Sequence, residues 1–256
     1  MKRYGRTIID AIFNKRAKRL EICAELESKS QADSDRSDIG VFETGLSAEQ
    51  YGNYEQSTGV AAQEAESRRL VSVAKAHGLY VPKEKWAVFG ERKKLPSGES
   101  VVYLDAEEQV ITKIRNPFAK AAIKHLHAQD VIYEHLIHNI LFPPTRYEFR
   151  GIGEDVDGVR IILGQQYLTD KYMTPNQKAI DNYLMHGLGL ELENRYYYAN
   201  DYIAITDVSA EGDNVLFDGD TLYFIVPIIM FKQPAISVLK YYESLLRQAS
   251  DNLSAG

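Results

Sequence analysis

The order of strand-like and helix-like segments between residues 85 and 168 is the feature that most restricts the fold of this chain. Three short runs rich in β-branched residues come first, a long helical segment follows, and two more strand-like runs end the region. A regular alternation of strands and helices would predict a doubly wound parallel sheet, and this order does not alternate. We therefore predict an α+β fold. The strand-like runs are WAVFGER, SVVYLD and QVITKIR before the helix, and RYEFRGI and GVRIILGQQYL after it.

Turn and cap residues set the expected limits of the long helix. Asn116 and Pro117 suit the N-cap and the first helical position. The helix is expected to run to about Leu141, where Pro143-Pro144 would end it. Residues 153–158 read GEDVDG between the last two strand-like runs, which is typical of a hairpin turn.

The region over residues 169–256 is predicted to hold two helices and one hairpin. The first helix ends at a glycine, the hairpin joins the runs NVLF and TLYFIV, and a loop separates the two. The last helix is predicted over about 235–248. The residues that mark these limits are Thr174, Pro175 and Gln177 at the start of the first helix, Gly187 at its end, and Asp218, Gly219 and Asp220 at the hairpin tip.

Residues 1–84 are predicted to form a helical N-terminal extension. Apolar residues recur at helical spacing over 1–28, and residues 29–60 are polar and Ser-, Gln- and Gly-rich, which predicts a linker. A further helix is expected from about Ala61 to His77, ended by Gly78. The basic residues up to Arg19 fit either a docking or nucleic-acid-binding helix or a solvated face, and the solvated face is the simpler interpretation.

Composition excludes several functional classes. The chain has 36 acidic and 30 basic residues, a formal charge of −6, which argues against a protein that coats nucleic acid. Its single cysteine, Cys23, excludes a disulfide framework within this chain and a cysteine-based zinc site. The most apolar stretch, residues 222–231, contains Pro227 and has about half the length of a membrane span. We predict a cytoplasmic protein with no membrane partner.

Lys113 in the run QVITKIR is the first candidate for chemistry. In a strand, Ile111 and Lys113 share one face, which could place an ammonium group over a nucleotide phosphate. Asp130 and Glu134 lie four residues apart on one face of the long helix, and either could pair with Lys113. Taken alone, an exposed lysine and an exposed acidic helix face are the simpler interpretations.

An Asp-to-Asn segment is the second candidate. Asp207 follows the apolar run 202–205, and Asn214 opens the run NVLF. An aspartate in a loop can orient or deprotonate a hydroxyl nucleophile, and a nearby asparagine can offer a neutral oxygen to Mg²⁺. Turn chemistry is the alternative, since Asp, Asn, Gly and Ser are the residues that form turns.

Two further features have structural interpretations that we favour. His135 and His138 are three residues apart on the long helix, but no cysteine or His-Glu-x-x-His pattern accompanies them, so packing near the core is favoured over a metal site. The chain contains 17 tyrosines, with one cluster over 196–202. The cluster lacks the basic residues of a base-stacking groove, so packing is favoured there as well.

Together these features are similar to one known family. A lysine on the third strand, an acid on the next helix, two strands, and an Asp-to-Asn segment before a hairpin is the order of parts in protein-kinase-like phosphotransferases. Residues 86–234 resemble the serine/threonine/tyrosine kinase-like domain of bacterial polyvalent proteins of mobile genetic elements. The segments that carry the resemblance are SGESVVYLD, VITKI, HNILFPPTRYEFRGI, ILGQQYL, DV, DNVLFDGDTLYFI and PII.

The resemblance implies a fold, cofactors and site residues. The fold would have a five-stranded antiparallel small lobe over 85–168 and a short, reduced, mainly helical second lobe over 169–256, and the cofactors would be ATP and Mg²⁺. Asp207 would be the catalytic base and Asn214 a magnesium ligand. The nucleotide-binding residues would be Gly98 and Ser100 in the phosphate-covering loop, Lys113 at the α- and β-phosphates with Asp130 or Glu134 as its partner, and Gln165, Gln166 and Tyr167 in the hinge that meets adenine.

The chain departs from the kinase pattern at several positions. The loop over 97–100 has one glycine where the pattern has three, and Ile111 stands where kinases often have alanine. The Asp-to-Asn interval is seven residues rather than five. Val226 stands where the resemblance expects the main metal-binding aspartate, and a valine cannot bind a hard cation. Only 30 residues follow Val226, so most helices of a kinase's peptide-binding lobe are expected to be missing.

Two function hypotheses follow from these residues. The first is a kinase-like, nucleotide-binding phosphotransferase whose activity is impaired by Val226. The second is a catalytically inactive interaction module that acts on a protein partner through its surface and its N-terminal extension. Lys113, Asp207 and Asn214 favour the first hypothesis, and Val226 favours the second.

Overall fold

The computed structural model describes residues 60–93, 100–118, 128–168 and 172–254. The predicted helix over 1–28 lies outside these residues, as does the predicted linker apart from Val60, which begins a helix. Gly98 also lies outside them. No helix in the described ranges is long and apolar enough to span a membrane.

The first half of the fold is a five-stranded antiparallel sheet with one helix inserted after its third strand. The strand order is β1-β2-β3-β5-β4, and every neighbouring pair is antiparallel. This confirms the predicted five-stranded antiparallel sheet. The elements are β1 (Glu91–Lys93), β2 (Ser100–Asp105), β3 (Val110–Arg115), α2 (Ala128–Leu141), β4 (Tyr147–Asp155) and β5 (Gly158–Gln166), with a 3-10 turn at Pro143–Thr145 before β4.

The run WAVFGER is not a strand for most of its length, which corrects the prediction. Residues Lys83–Phe89 form a 3-10 helix, and only the end of the run enters β1. The indole of Trp86 is buried and its Nε1 donates a hydrogen bond to the Val81 carbonyl at 3.2 Å. Gly90 then turns the chain into β1 at φ +107°, where a Cβ would lie 2.2 Å from the Leu104 carbonyl oxygen. Four apolar residues were too few to distinguish a helical turn from a strand.

Helices cover one face of the sheet and Trp86 covers the other. Helix α1 (Val60–Ala76) follows the predicted limits and ends before Gly78, whose φ is +73°. It buries Leu70 and Ala74 in one core with α2 and the inner side chains of β4 and β5. On the opposite face, Trp86 packs in a small core with Ile114 and Ile162. Helix α1 therefore shares a core with the sheet, while the predicted boundary at residues 84 and 85 stays a prediction.

Pro117, predicted as the first helical position, lies in a turn with Phe118, and the described residues resume at Ala128 within the helix. Asn116 caps that turn, because its Oδ1 accepts a hydrogen bond from the Phe118 N–H at 3.0 Å. Asn and Pro favour turns as well as helix starts, so the same signal fits both outcomes.

The second half contains more strands than the predicted mainly helical lobe. A four-stranded sheet, in the order β11-β8-β7-β6, occupies residues predicted as loop, and β9 pairs with β10 in the predicted hairpin. The new strands are three or four residues long, too short for the sequence pattern to separate from a loop. The elements are α3 (Gln177–Asn182) with a π-helical turn at Tyr183–Gly187, β6 (Glu191–Asn194), β7 (Tyr197–Ala199), β8 (Ile203–Thr206), β9 (Val215–Phe217), β10 (Leu222–Phe224), β11 (Ile228–Phe231) and α4 (Ala235–Ser254).

Helix α2 belongs to the cores of both halves. Val131 and Ile132 pack into the core beneath the five-stranded sheet. Tyr133 and Ile137 pack into the larger core of the second half, which also contains Val238 of α4. The two lobes therefore meet along one helix.

The N-cap of α3 is Asn176 rather than the predicted Thr174. The Asn176 Oδ1 accepts a hydrogen bond from the Lys178 N–H at 2.9 Å. We expect Asn176→Ala to lower the free energy of unfolding by about 1 kcal/mol, because it leaves a helix N–H without a partner. Urea denaturation measures this, and Thr174→Ala is the matched control that should change nothing. Equal losses in the two variants would contradict the assignment of the cap.

Candidate functional site

Lys113 lies on β3 and makes its contacts with neutral side chains. Its Nζ donates hydrogen bonds to the Tyr147 hydroxyl at 3.0 Å and to Gln165 Oε1 at 2.8 Å. Among the residues that the structure describes, no carboxylate lies within ion-pairing distance of this ammonium group. The predicted pairing of Lys113 with Asp130 or Glu134 is therefore wrong.

Glu134 of α2 pairs with Arg115 instead. Arg115 Nη1 lies 3.1 Å from Glu134 Oε2, and the two side chains are 18% and 9% exposed. Arg115 is two residues beyond Lys113, so both side chains leave β3 on the same face. The sequence did predict an ion pair between this face of β3 and α2, but it assigned the wrong cation because the longer arginine was not considered.

The environment of Lys113 favours the neutral form of its side chain. Burial of the ammonium group, with Arg115 nearby as a second and smaller cause, lowers the pKa of Lys113 to about 7. The residue as a whole is half-buried. Near neutral pH the side chain therefore titrates between a charged and a neutral form.

The hydrogen bonds of Lys113 continue into the segment that follows β10. The Tyr147 hydroxyl donates to the Ile225 carbonyl at 2.9 Å, and Gln165 Nε2 donates to the same carbonyl at 3.2 Å. Gln165 Nε2 also donates to the Thr145 carbonyl at 2.7 Å. Sequence reasoning missed Tyr147, although the alternation in YEFRGI places it on an inward face. These contacts fix the residue before Val226 to the sheet.

The three residues predicted for the hinge have different environments. Gln165 is buried on β5, which lies between β3 and β4. Its side chain accepts the hydrogen bond from Lys113. Gln166 is exposed and pairs with Val110. The Tyr167 N–H donates to the Gln109 carbonyl at 2.8 Å, which extends the β3–β5 ladder by one bond. The role of these residues toward adenine stays a prediction.

Two buried histidines support the same region from α2. His138 Nε2 donates to the Phe224 carbonyl at 3.2 Å, and His135 Nδ1 bonds the Val131 carbonyl one turn earlier. Both rings contact the Tyr147 ring edge-on, with centroid distances of 4.5 and 4.8 Å. Burial lowers the pKa of His135 to about 4 and that of His138 to about 3, so both are neutral at pH 7. Their burial and their ring contacts agree with packing near the core, the interpretation favoured from the sequence.

Asp207 and Asn214 lie side by side at the end of β8. Asn214 Nδ2 donates to Asp207 Oδ2 at 2.6 Å, although seven residues separate the two. Asp207 has a φ of +61°, a left-handed conformation that is uncommon outside glycine and often marks functional loops. The intervening residues 208–213 form turns, so the longer interval is accommodated without separating the pair.

The residue before Val226 is bound to this pair. The Ile225 N–H donates to the Asn214 carbonyl at 2.8 Å. Two residues after Val226, β11 begins and pairs with β8, so that Ile228 faces Thr206. The Val226 side chain is 44% exposed. An aliphatic group thus stands where the resemblance expects a carboxylate.

The residues around Asp207 do not suit a divalent metal. Mg²⁺ prefers several oxygen ligands, with carboxylates among them. Within the described ranges, no group of three or more His, Cys, Asp or Glu side chains could hold a metal ion. One oxygen of Asp207 is already bound by the Asn214 amide, and Val226 offers no ligand. The magnesium site that the resemblance implies is therefore incomplete among the described residues.

Ser100 is the described end of the predicted phosphate-covering loop. It is the first residue of β2 and lies directly opposite Arg115 in the β2–β3 ladder. Gly98 lies outside the described residues, so its predicted role stays a prediction. The register does establish that the chain enters β2 beside Arg115 rather than beside Lys113, which faces Val102.

The fold and the arrangement of these residues fit one class of protein. A five-stranded antiparallel sheet, a single helix after its third strand with an ion pair to that strand, and an Asp–Asn pair ahead of a hairpin are the parts of a protein-kinase-like fold. A family model described as "Serine/Threonine/Tyrosine Kinase found in polyvalent proteins" matches residues 63–233, more than half of the chain. The chain belongs to this family, and it is a kinase-like protein. Searches of curated proteins and of solved structures returned no match.

Proposed function

We propose that this chain is a nucleotide-binding, kinase-like module of a polyvalent protein in which phosphoryl transfer is impaired. The observation that carries the proposal is the hydrogen bond from the Ile225 N–H to the Asn214 carbonyl, which binds the residue before Val226 to the Asp207–Asn214 pair. Asp207, the expected base, and Asn214 are present, while Val226 occupies the position expected for a metal-binding aspartate.

Cations on the inner face of β3 support nucleotide binding. Lys113 and Arg115 share this face, and an ion pair to α2 orients Arg115. Arginine and lysine are the side chains that bind phosphate groups in proteins. A strand face that carries cationic side chains would suit the phosphates of ATP without a complete metal site.

Loss of the metal ligand supports impairment rather than a different reaction. In phosphoryl transfer the metal neutralises charge that develops on the phosphate oxygens, and a kinase's metal-binding aspartate is part of that arrangement. Asp207 could still orient a hydroxyl group, but it would do so without a fully ligated metal nearby.

An inactive interaction module is the second candidate, and Val226 is the observation that favours it. A half-exposed valine at the centre of the site offers apolar contact rather than chemistry. The protein partner predicted for the N-terminal extension would belong to this second candidate.

The two candidates differ in their response to ATP. Thermal denaturation with increasing ATP, with Mg²⁺ and with EDTA, should show stabilisation of similar size in both conditions, since binding to the nucleotide stabilises the folded state by mass action. ATP turnover in the same samples should stay near background. Absence of any shift would exclude nucleotide binding and leave the interaction module, and rapid magnesium-dependent turnover would contradict the proposed impairment.

A further inference from the structure

Arg115 and Lys113 divide the tasks expected of one cation. In the kinase pattern a single β3 lysine meets the phosphates and pairs with the acid of the following helix. Here the acid, Glu134, pairs with Arg115 at 3.1 Å. The hydrogen bonds of Lys113 go to Tyr147 and Gln165 instead. The ion pair that characterises the nucleotide-binding strand has therefore moved by two residues along one strand face.

The position of Arg115 beside the first residue of β2 agrees with this shift. Ser100 begins β2 and is the ladder partner of Arg115. Lys113 pairs with Val102, one residue pair further along the same face of the sheet. A phosphate bound at the Ser100 end of β2 would thus lie closer to the strand position of Arg115 than to that of Lys113.

The chemistry of the two side chains also favours Arg115 over Lys113 as the phosphate-binding residue. A guanidinium group keeps its charge at any physiological pH, and it has enough donors to bind a carboxylate and a phosphate at once. The Lys113 ammonium has already given hydrogen bonds to two neutral partners, and both of these partners also bond the Ile225 carbonyl. Turning Lys113 toward a phosphate would disturb that network.

We propose that Arg115, oriented by Glu134, is the side chain that binds the phosphates of the nucleotide, and that Lys113 is a positioning residue that holds the Ile225 segment. This inference rests on the proposed nucleotide binding. It assigns the phosphate contact to a residue that the kinase pattern does not use for it.

Calorimetric titration with ATP and with adenosine separates a phosphate contact from other effects. Arg115→Met should weaken ATP binding at least about tenfold, the usual range for loss of a charged hydrogen-bonding group, and leave adenosine binding unchanged. Lys113→Met should change the affinities for ATP and adenosine by the same factor. Arg115→Lys should recover part of the ATP affinity, because it restores a cation but not its fork of donors.

Arg150→Met is the matched control for the loss of an arginine from this sheet. Arg150 pairs with Glu148 at 2.8 Å and donates to Thr112 at 2.9 Å, on the opposite face. It should bind ATP like the wild type. Loss of ATP preference in Lys113→Met, with Arg115→Met unaffected, would overturn the assignment while leaving nucleotide binding intact. If the folded wild-type chain binds neither ligand, both the assignment and the proposed function are wrong.

Discussion

Val226→Asp should raise the magnesium-dependent ATP turnover of this chain by about 100-fold, because a metal ion contributes several kcal/mol of charge stabilisation and about 1.4 kcal/mol corresponds to a factor of ten. The substitution places a carboxylate beside Asn214, whose carbonyl holds the preceding residue at 2.8 Å. Since Val226 is 44% exposed, an aspartate there remains in contact with water and should not unfold the protein.

The measurement is phosphate release from ATP at saturating Mg²⁺, with circular dichroism to establish folding. Val156→Asp makes the same chemical change at an exposed hairpin tip, where the valine is 92% exposed, and should leave turnover at the wild-type level. A folded Val226→Asp variant with background turnover would mean that residues 225–227 do not correspond to the metal-binding segment of kinases.

The stability of the protein should rise with pH between about 7.5 and 9.5 because of Lys113. Burial lowers the pKa of Lys113 to about 7, whereas in the unfolded chain it returns to its ordinary value near 10.5. In this window the unfolded chain binds a proton that the folded chain does not, so raising the pH favours the folded state. The expected gain is roughly 2 kcal/mol across the window, and the dependence disappears below about pH 6, where Lys113 is protonated in both states.

Urea denaturation at half-unit pH steps tests this dependence. Lys113→Met should give a flat profile, while Lys232→Met, which removes a surface lysine paired with Glu193, should keep the rise. The window starts above the range in which His135 and His138 titrate, and it ends below the ionisation of tyrosines in the unfolded chain. Parallel profiles for the wild type and Lys113→Met would show that the lysine is not desolvated in the folded protein.

Local sequence patterns predicted those parts of the fold that depend on neighbouring residues. The strand pairs around the 153–158 turn and around Asp218–Asp220 were predicted from turn residues and β-branched runs, and both hairpins are present. The strands β6, β7 and β8 were missed although they pair with their neighbours along the chain, because each has only three or four residues. Strand β11 was missed because its pairs with β8, such as Phe231 with Ile203, join segments that are distant in sequence. Such strands are stabilised by tertiary pairing rather than by their own composition.

The sequence predicted the residues of the candidate site better than it predicted their contacts. The expectation that Asp207 and Asn214 act together agrees with their hydrogen bond, and their catalytic and metal-binding roles stay predictions. The partner of Lys113 was assigned wrongly, because a strand pattern gives the face of a side chain and not its reach. Arg115 and Lys113 share a face, and only the packing of α2 determines which of them meets Glu134.

The shared helix α2 limits how this chain can be divided. A fragment that ends after β5 would retain α2 but expose Tyr133, Ile137 and Leu141, which the second half covers. A fragment that begins at α3 would lose those three side chains from the centre of its own core. The two lobes therefore form one unit of stability, and destabilising substitutions in α2 would affect both of them.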